Sequence, residues 1–512
     1  MRASSRPRTV IFLLTLLAAF TPRSAKPQST TASNVSSVLL TSGLGQNGTL
    51  LNVFSETQVK TSLAPGSPAF GNAVSDPGNF TVVQGSLGAV SSALNANIAT
   101  ALSIVPLASP ASGVLFKKDP ATGVDLPVDS TLGPVFVERA ETIGKNKFYI
   151  GITNQNFHFT SLNGQSLNSL TGLYGGGGPS GLTPTGASQP AAAVPASFNI
   201  SMDVRLSQNT AFITYGATNR FDISVGLPMV HSSVAATTYN AQIYAGNGFG
   251  KIGDCWCVNT FTPGKPPSPS NPNSLFEPLV GQSSLGKTGF GDLLLRFKGT
   301  VVDEPHFVLA LGTDLRLPTG DEQNFLGTGA TSIKPFMALS LYTKQWHEIV
   351  FAPHFNFGWQ YSGKSTLAGQ VQGATSTSSP APPFTTTKDF LPDVLSWAVG
   401  SEVAFGRRNT LVVDILGDQI GLVHGIQALT TQTLSLSGLF SPTTYKQFTT
   451  SDNVSGLIAT ISHVSFGQYY GAFGWKTRIA GNLIATVNFL TRFDNNGLTA
   501  KIVPLYGLGY SF

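Results

Sequence analysis

Residues 220–230 read RFDISVGLPMV, and the stretch alternates. Phe221, Ile223, Val225, Leu227 and Met229 hold the odd positions; Arg220, Asp222, Ser224 and Gly226 hold the even ones. A repeat of two marks a strand, because successive side chains point to opposite faces. The repeat returns in GDLLLRFKG (291–299), where Leu293, Leu295 and Phe297 oppose Asp292, Arg296 and Lys298, with Leu294 as the exception. In HFVLALGTDLRLPTG (306–320) Phe307, Leu309, Leu311, Leu315 and Leu317 oppose Ala310, Gly312, Asp314 and Arg316. EIVFAPHFNFGWQY (348–361), DVLSWAVGSEVAFG (393–406) and NLIATVNFLTRF (482–493) behave alike. They add His354, Glu402 and Arg492 to the polar side.

The repeat alone fits any half-buried sheet; the two faces separate the possibilities. One is large, apolar and aromatic, and the other mixes small residues, amides and both signs of charge. Apolar side chains toward lipid and polar ones toward a lumen are the arrangement of a transmembrane barrel. Composition agrees: 11% of the 512 residues are charged, with 55 Gly and 34 Phe, against about 25% charged in a typical soluble domain. The net charge of +5 is small, and no basic run interleaved with aromatics speaks for nucleic acid.

The fold class expected is therefore all-β: a transmembrane antiparallel up-and-down barrel of about 12 strands, with a less regular N-terminal extension. The strands fall near 145–159, 198–216, 220–231, 287–301, 306–317, 333–343, 346–361, 392–406, 409–417, 464–478, 482–493 and 500–512. The second changes phase near Gln208–Thr210, which predicts a bulge or an extra turn. Connections after even-numbered strands are short, among them ATN, VDEP, TKQ and RRN. Those after odd-numbered strands are long, except DNNGL near the end. Short periplasmic turns on one rim and long outer loops on the other are what an outer-membrane barrel requires, and a sandwich gives no reason for the alternation.

The last stretch, PLYGLGYSF (504–512), alternates as well. A strand in lipid cannot leave backbone groups unpaired, so this strand is expected to pair with the first and close the sheet. Gly507, Tyr510 and Phe512 resemble the C-terminal signal of Gram-negative outer-membrane proteins, although Leu505 stands where a polar residue is usual. The resemblance implies barrel assembly machinery as a partner. The same aromatics would also suit an interfacial girdle.

At the other end, Arg2, Arg6 and Arg8 precede an apolar stretch, Val10 to Phe20, that is short for a membrane span. Residues 1–25 read as a signal peptide. Residues 26–143 read as a periplasmic extension or plug, partly helical or disordered, and 144–512 as the barrel. LGAVSSALNANIATALSIVPLAS (87–109) suits an Ala-rich helix ended by Pro106. Such a helix would make a plug, as in the fatty-acid and aromatic-hydrocarbon channels, or part of a periplasmic extension. Cys255 and Cys257 flank Trp256 in a Gly/Pro-rich segment and read as a loop staple or two idle thiols.

GPVFVERAETIGKNKFYIG (133–151), YGATNRFDISVGLP (215–228), GFGDLLLRFK (289–298) and LRLPTGDEQNFLGTG (315–329) occur in that order. Together they resemble the outer-membrane family labelled putative meta-pathway phenol degradation, whose members are often described simply as transporters. The resemblance implies a small outer-membrane channel for passive transport of hydrophobic or aromatic molecules. The alternative is a non-conducting scaffold or adhesin acting through its outer loops.

Charge on a lipid face costs about 2–4 kcal/mol per Arg or Lys at midplane, so the strand charges should line the lumen. They are Arg220, Asp222, Asp292, Arg296, Lys298, Asp314, Arg316, Glu402, Asp414, Lys476, Arg478 and Arg492, with His354 beside Asn356. Asp222, Asp292, Arg296, Asp314 and Arg316 are expected to form one ladder, either biasing solutes or merely satisfying buried charge. Pro318, Gly320 and Asp321 read as an outer loop shaped over the pore mouth, with a cation site as the other reading. A barrel hydrolase would need a nucleophile beside a His, and no Ser sits in an obvious place beside His354. No metal-ligand spacing and no cofactor motif are present. The expected partners are lipid, the assembly machinery and a small apolar solute.

Overall fold

The computed structural model describes residues 34–38, 80–105, 115–118, 125–128, 132–177, 193–243, 282–342, 349–372, 385–406, 408–435 and 449–512. Residues 1–25, expected to be a signal peptide, and Cys255 and Cys257 lie outside them. Twelve strands make the barrel: β1 (Phe148–Phe159), β2 (Ala193–Thr218), β3 (Phe221–Ile243), β4 (Leu293–Glu304), β5 (Phe307–Leu317) and β6 (Ser332–Leu341). The rest are β7 (Ile349–Ser362), β8 (Val394–Phe405), β9 (Asn409–Ile420), β10 (Phe466–Ala480), β11 (Leu483–Arg492) and β12 (Ile502–Ser511). Each pairs antiparallel with its neighbours in the sequence. β12 meets β1 from Leu505↔Gln155 to Ser511↔Tyr149 and closes the sheet. Closure gives every spanning backbone group a partner without water, which a lipid-facing sheet needs.

The outer surface is the greasy one. Phe351, Phe357, Val399, Val413, Ile415, Phe473, Val487 and Phe489 all point away from the lumen and are exposed on the isolated chain. Phe148 packs on Tyr215, Phe405 on Trp475 and Tyr510 on Phe512, all at the rim of short turns, as an aromatic girdle does. Among the described residues no helix is long and apolar enough to cross a bilayer; the strands do so. A closed antiparallel barrel, apolar outside and polar inside, is an outer-membrane barrel.

β2 and β3 have 26 and 23 residues, far more than the about 9–11 that span a bilayer. The bulge expected near Gln208–Thr210 is absent. Pairing with β3 runs through Gln208↔Val230, Asn209↔Met229 and Thr210↔Pro228 without a break, and the register shifts lie at Ser197/Asn199 and Gly216/Thr218. What changes there is the environment, not the backbone. The same side of β2 stays buried throughout. Toward the short turns it carries Gln208, Thr210 and Thr214; toward the long loops it carries Met202, Val204 and Leu206. The opposite side changes from Ile213 to Arg205 and Asp203. Inside the bilayer the apolar medium lies outside the wall; beyond it, water lies outside and a hydrophobic core within.

That core is built on helix α1 (Phe80–Ile104). Strands Leu170–Gly177 and Gln282–Phe290 flank the β2–β3 hairpin, and Asn453–Val464 with Ile426–Ser435 extend the wall further. Leu94, Ile98 and Leu102 of α1 join Phe157, Phe159, Met202, Val234, Phe325 and Leu326 in one cluster. The helix is buried over 91–100, polar positions included. Asn97 and Thr100 bond within the helix, to Ala93 O at 2.8 Å and Ala96 O at 2.7 Å, while Asn95 donates to Ser36 O at 3.3 Å.

Candidate functional site: the filled lumen

Residues 132–143 have no strand or helix of their own, yet nearly all are buried. Their backbone donors end on side chains of the barrel wall. Leu132 N donates to Thr410 (3.1 Å), Gly133 N to Glu402 (2.8 Å), Phe136 N to Asp414 (3.2 Å) and Glu138 N to Asn356 (2.5 Å). Ala140 N donates to Ser340 (2.9 Å) and Ile143 N to Asp222 (3.0 Å). Thr410, Glu402, Ser340 and Asp222 lie toward the short turns; Asn356 and Asp414 lie mid-strand. The segment therefore enters from the short-turn rim, rises to mid-barrel at Phe136–Glu138, and descends to leave beside β2. It is an inverted strap. An irregular backbone at membrane depth is tolerated only when enclosed in protein, with its polar groups satisfied there.

Charges clamp the strap. Lys298 Nζ donates to Glu138 (2.8 Å), Arg139 O (3.0 Å) and Glu141 O (2.7 Å). Arg296 reaches Glu138 at 2.6 Å and grips Asp314 at 2.6 and 2.7 Å. Arg139 pairs with Glu402 at 3.2 Å, and Lys476 donates to Pro134 O at 2.7 Å. Two glycines let the chains meet. A Cβ at Gly400 would overlap the Asp414 carboxylate and stand 2.8 Å from Val137, and one at Gly216 would overlap Gly144 O.

Most of the predicted lumen charges thus face inward, but they do not form one ladder. Arg296 with Asp314, Lys298 and Asp222 serve the strap or each other. Asp292, just before β4, serves the outer loop instead. It accepts from Gly320 N (3.1 Å), Thr328 N (2.7 Å) and Thr328 Oγ1 (2.7 Å). Arg220 is not in the lumen: β3 starts at Phe221, and Arg220 is exposed in the β2–β3 turn. Arg478 is half-buried at the short-turn rim. Arg492, at the opposite end, pairs with Asp494 at 2.9 Å and lies over Tyr470. Partial burial pushes the Asp494 carboxyl up, but hydrogen bonds from Arg492 and the Tyr469 and Asn496 backbone outweigh it and hold it below its ordinary value.

The outer loop folds inward. Pro318 follows β5, and Asp321 caps the short turn Glu322–Asn324. Phe325 and Leu326 are buried in the α1 cluster. Residues 34–38 rest on this loop, with Val35 N donating to Asn324 and Ser36 to Gln323. Among the described residues no group of three or more metal-ligating side chains converges. In β12, Gly507 is half-buried, Tyr510 pairs with Ile150, and Phe512 donates its N–H to Phe148 O at 2.8 Å while its ring stays exposed.

A Ser does stand beside His354, contrary to the sequence expectation. His354 Nδ1 is 2.9 Å from Ser340 Oγ, and Nε2 is 2.9 Å from Glu402. β6 and β7 pair Ser340 with His354 directly, a register the sequence does not reveal. The trio has the residue types of a hydrolase relay, but its members hold the strap: Ser340 accepts from Ala140 N and donates to Glu141, and Glu402 binds Gly133 N and Arg139. Glu138 and Arg139 also escaped notice. Their signal was a charged pair inside the apolar run GPVFVERA before the first strand.

Between the strap and the C-terminal end of α1 lies a cavity of about 140 Å3. Its wall includes Ile104 and Val105 above, Phe136 and Glu138 of the strap, and Leu294, Phe336, Ala398 and Leu416 from the strands. Arg296, Asp314, Arg316, Lys334 and Asp418 add charge to it, and Ser103, Ser332, Asn356, Gln360 and Ser396 add neutral polar groups.

Solved barrels share this architecture at a distance. An outer membrane channel from Pseudomonas putida F1 aligns at 9% identity over 73% of this chain and 98% of its own, with a TM-score of 0.36. A TodX monoaromatic hydrocarbon channel variant aligns at 8% identity over 72% and 90%, TM-score 0.29. A Pseudomonas aeruginosa FadL homologue aligns at 10% identity over 80% and 97%, TM-score 0.26. No family model and no curated protein matches the chain. The strand pairing itself, not these distant likenesses, establishes the barrel.

Proposed function

We infer that the chain is an outer-membrane channel for passive passage of small hydrophobic or aromatic molecules, with α1 and the strap as its plug. The observation that carries this is the cavity inside the wall, part apolar and part charged, bounded by the helix on one side and the strap on the other. A chamber with apolar walls and a few convergent polar groups is the usual form of a small-molecule site. No energy source is required; a solute partitions in, and the strap's displacement lets it leave. The strap enters from the short-turn rim, the periplasmic one in such barrels.

A lumen filled by a strap also suits a non-conducting scaffold that works through its outer loops. Uptake separates the two. Cells carrying the protein should accumulate a labelled monoaromatic compound faster than cells lacking it. Equal rates, with no current from the purified protein in planar bilayers even after strap residues 132–143 are deleted, would leave the scaffold.

A further inference from the structure

Three cations (Arg296, Arg316, Lys334) and three carboxylates (Glu138, Asp314, Asp418) line the cavity, but they pair unevenly. Both oxygens of Asp314 are taken by Arg296. Both oxygens of Glu138 are taken by Arg296 and Lys298. Arg316 and Lys334, inward on neighbouring strands β5 and β6, have no carboxylate at ion-pair distance among the described residues; Asp292 and Asp314 act on Arg316, and Asp418 and Asp314 on Lys334, only from further away. Arg316 reaches Leu102 O of α1 at 3.4 Å, and Lys334 donates to Ser396 Oγ at 3.0 Å. Asp418 lines the β9 side of the cavity and bonds the same Ser396 that Lys334 does. The pairing Arg316↔Ser332 and Asp314↔Lys334 makes the two cations diagonal neighbours on one face, within reach of one small anion. A guanidinium enclosed by protein with no carboxylate in direct contact is stabilised when an anion joins it.

The apolar part of the wall is Ile104, Val105, Phe136, Leu294, Phe336 and Leu416, beside the neutral polar Ser103, Ser332, Asn356 and Gln360. About 140 Å3 is close to the roughly 150 Å3 of a cavity that takes one benzene ring. We propose that this cavity binds a one-ring organic acid, its carboxylate between Arg316 and Lys334 and its ring among Phe136, Leu294, Phe336 and Leu416. The inference rests on the channel reading for its role in transport, but the site itself does not. Arg presents a planar fork that matches a carboxylate, and Lys adds a point charge. Asp418, joined to Lys334 through Ser396, disfavours a second negative charge on the ligand.

The test is calorimetric titration of the detergent-extracted full barrel with benzoate and with benzyl alcohol, which has the same ring and no charge. Benzoate should bind at least about tenfold more tightly, and Arg316→Gln and Lys334→Gln should each remove most of that preference while leaving benzyl alcohol unchanged. A folded barrel migrates differently boiled and unboiled, which checks each variant. Equal affinity for the two probes in the parent, or a benzoate preference that survives both substitutions, overturns the proposal. Should either variant fail to fold, the parent's preference between the two probes still decides. A parent that binds benzoate in this way yet supports no uptake would keep the site and sink the channel.

Discussion

Lys298→Ala should loosen the strap. In the docked state Lys298 Nζ is buried and donates to a carboxylate and two backbone carbonyls of the strap, at 2.7–3.0 Å. Removing it leaves Arg139 O and Glu141 O without that donor, and Arg296 still holds the Glu138 carboxylate. Breaking a buried pair from one side costs about 3–5 kcal/mol. Nearly all of this falls on the docked state, because an undocked strap would find water for the same groups. Arg296 keeps part of the clamp, so the lower end applies, and about 3 kcal/mol is roughly a hundredfold in the docking equilibrium. Hydrogen exchange reads that equilibrium directly. The amides of Phe136, Glu138, Ala140 and Ile143 are protected by bonds to wall side chains. Their exchange should quicken about a hundredfold in Lys298→Ala, while amides of β7 and β8 keep their protection. Lys145→Ala, at an exposed residue, is the control and should change nothing. If the four strap amides exchange within a few-fold of the parent, the strap is not held by these charges and the reasoning fails.

Two further substitutions probe other links. Gly400→Ala places a methyl group against Asp414 and Val137; overpacking of this kind costs about 1–3 kcal/mol, and it should free the Phe136 amide for exchange more than the Ile143 amide, whose anchor is on β3. Phe473→Arg puts a charge at the middle of the lipid face of β10 and should lower refolding stability in bilayers by about 2–4 kcal/mol, measured by urea titration; a shift under about 0.5 kcal/mol would mean that this face does not meet hydrocarbon.

Much of the barrel was legible because each strand residue has to satisfy one of two solvents. Phe473, Val487 and Phe489 on one side and Lys476, Asn488 and Arg492 on the other follow that demand singly, so the pattern survives in the bare sequence. Arg220 was misplaced because alternation runs on past the end of a strand, and only pairing shows where the strand stops. The phase change in β2 was visible at Gln208–Thr210 but misread as backbone geometry. The backbone is regular there; the media on the two sides change places at the edge of the bilayer.

Sequence by itself determined the strands, their faces, the rims and the closing of the sheet, because the transfer cost of a side chain into lipid is paid residue by residue. Tertiary structure alone decided how the lumen is occupied. Arg139 and Glu402 are 263 positions apart, and Glu138 and Lys298 are 160 apart. Which inward charge meets which is fixed by strand register, barrel closure and the path of the strap together, and none of these leaves a local periodic trace.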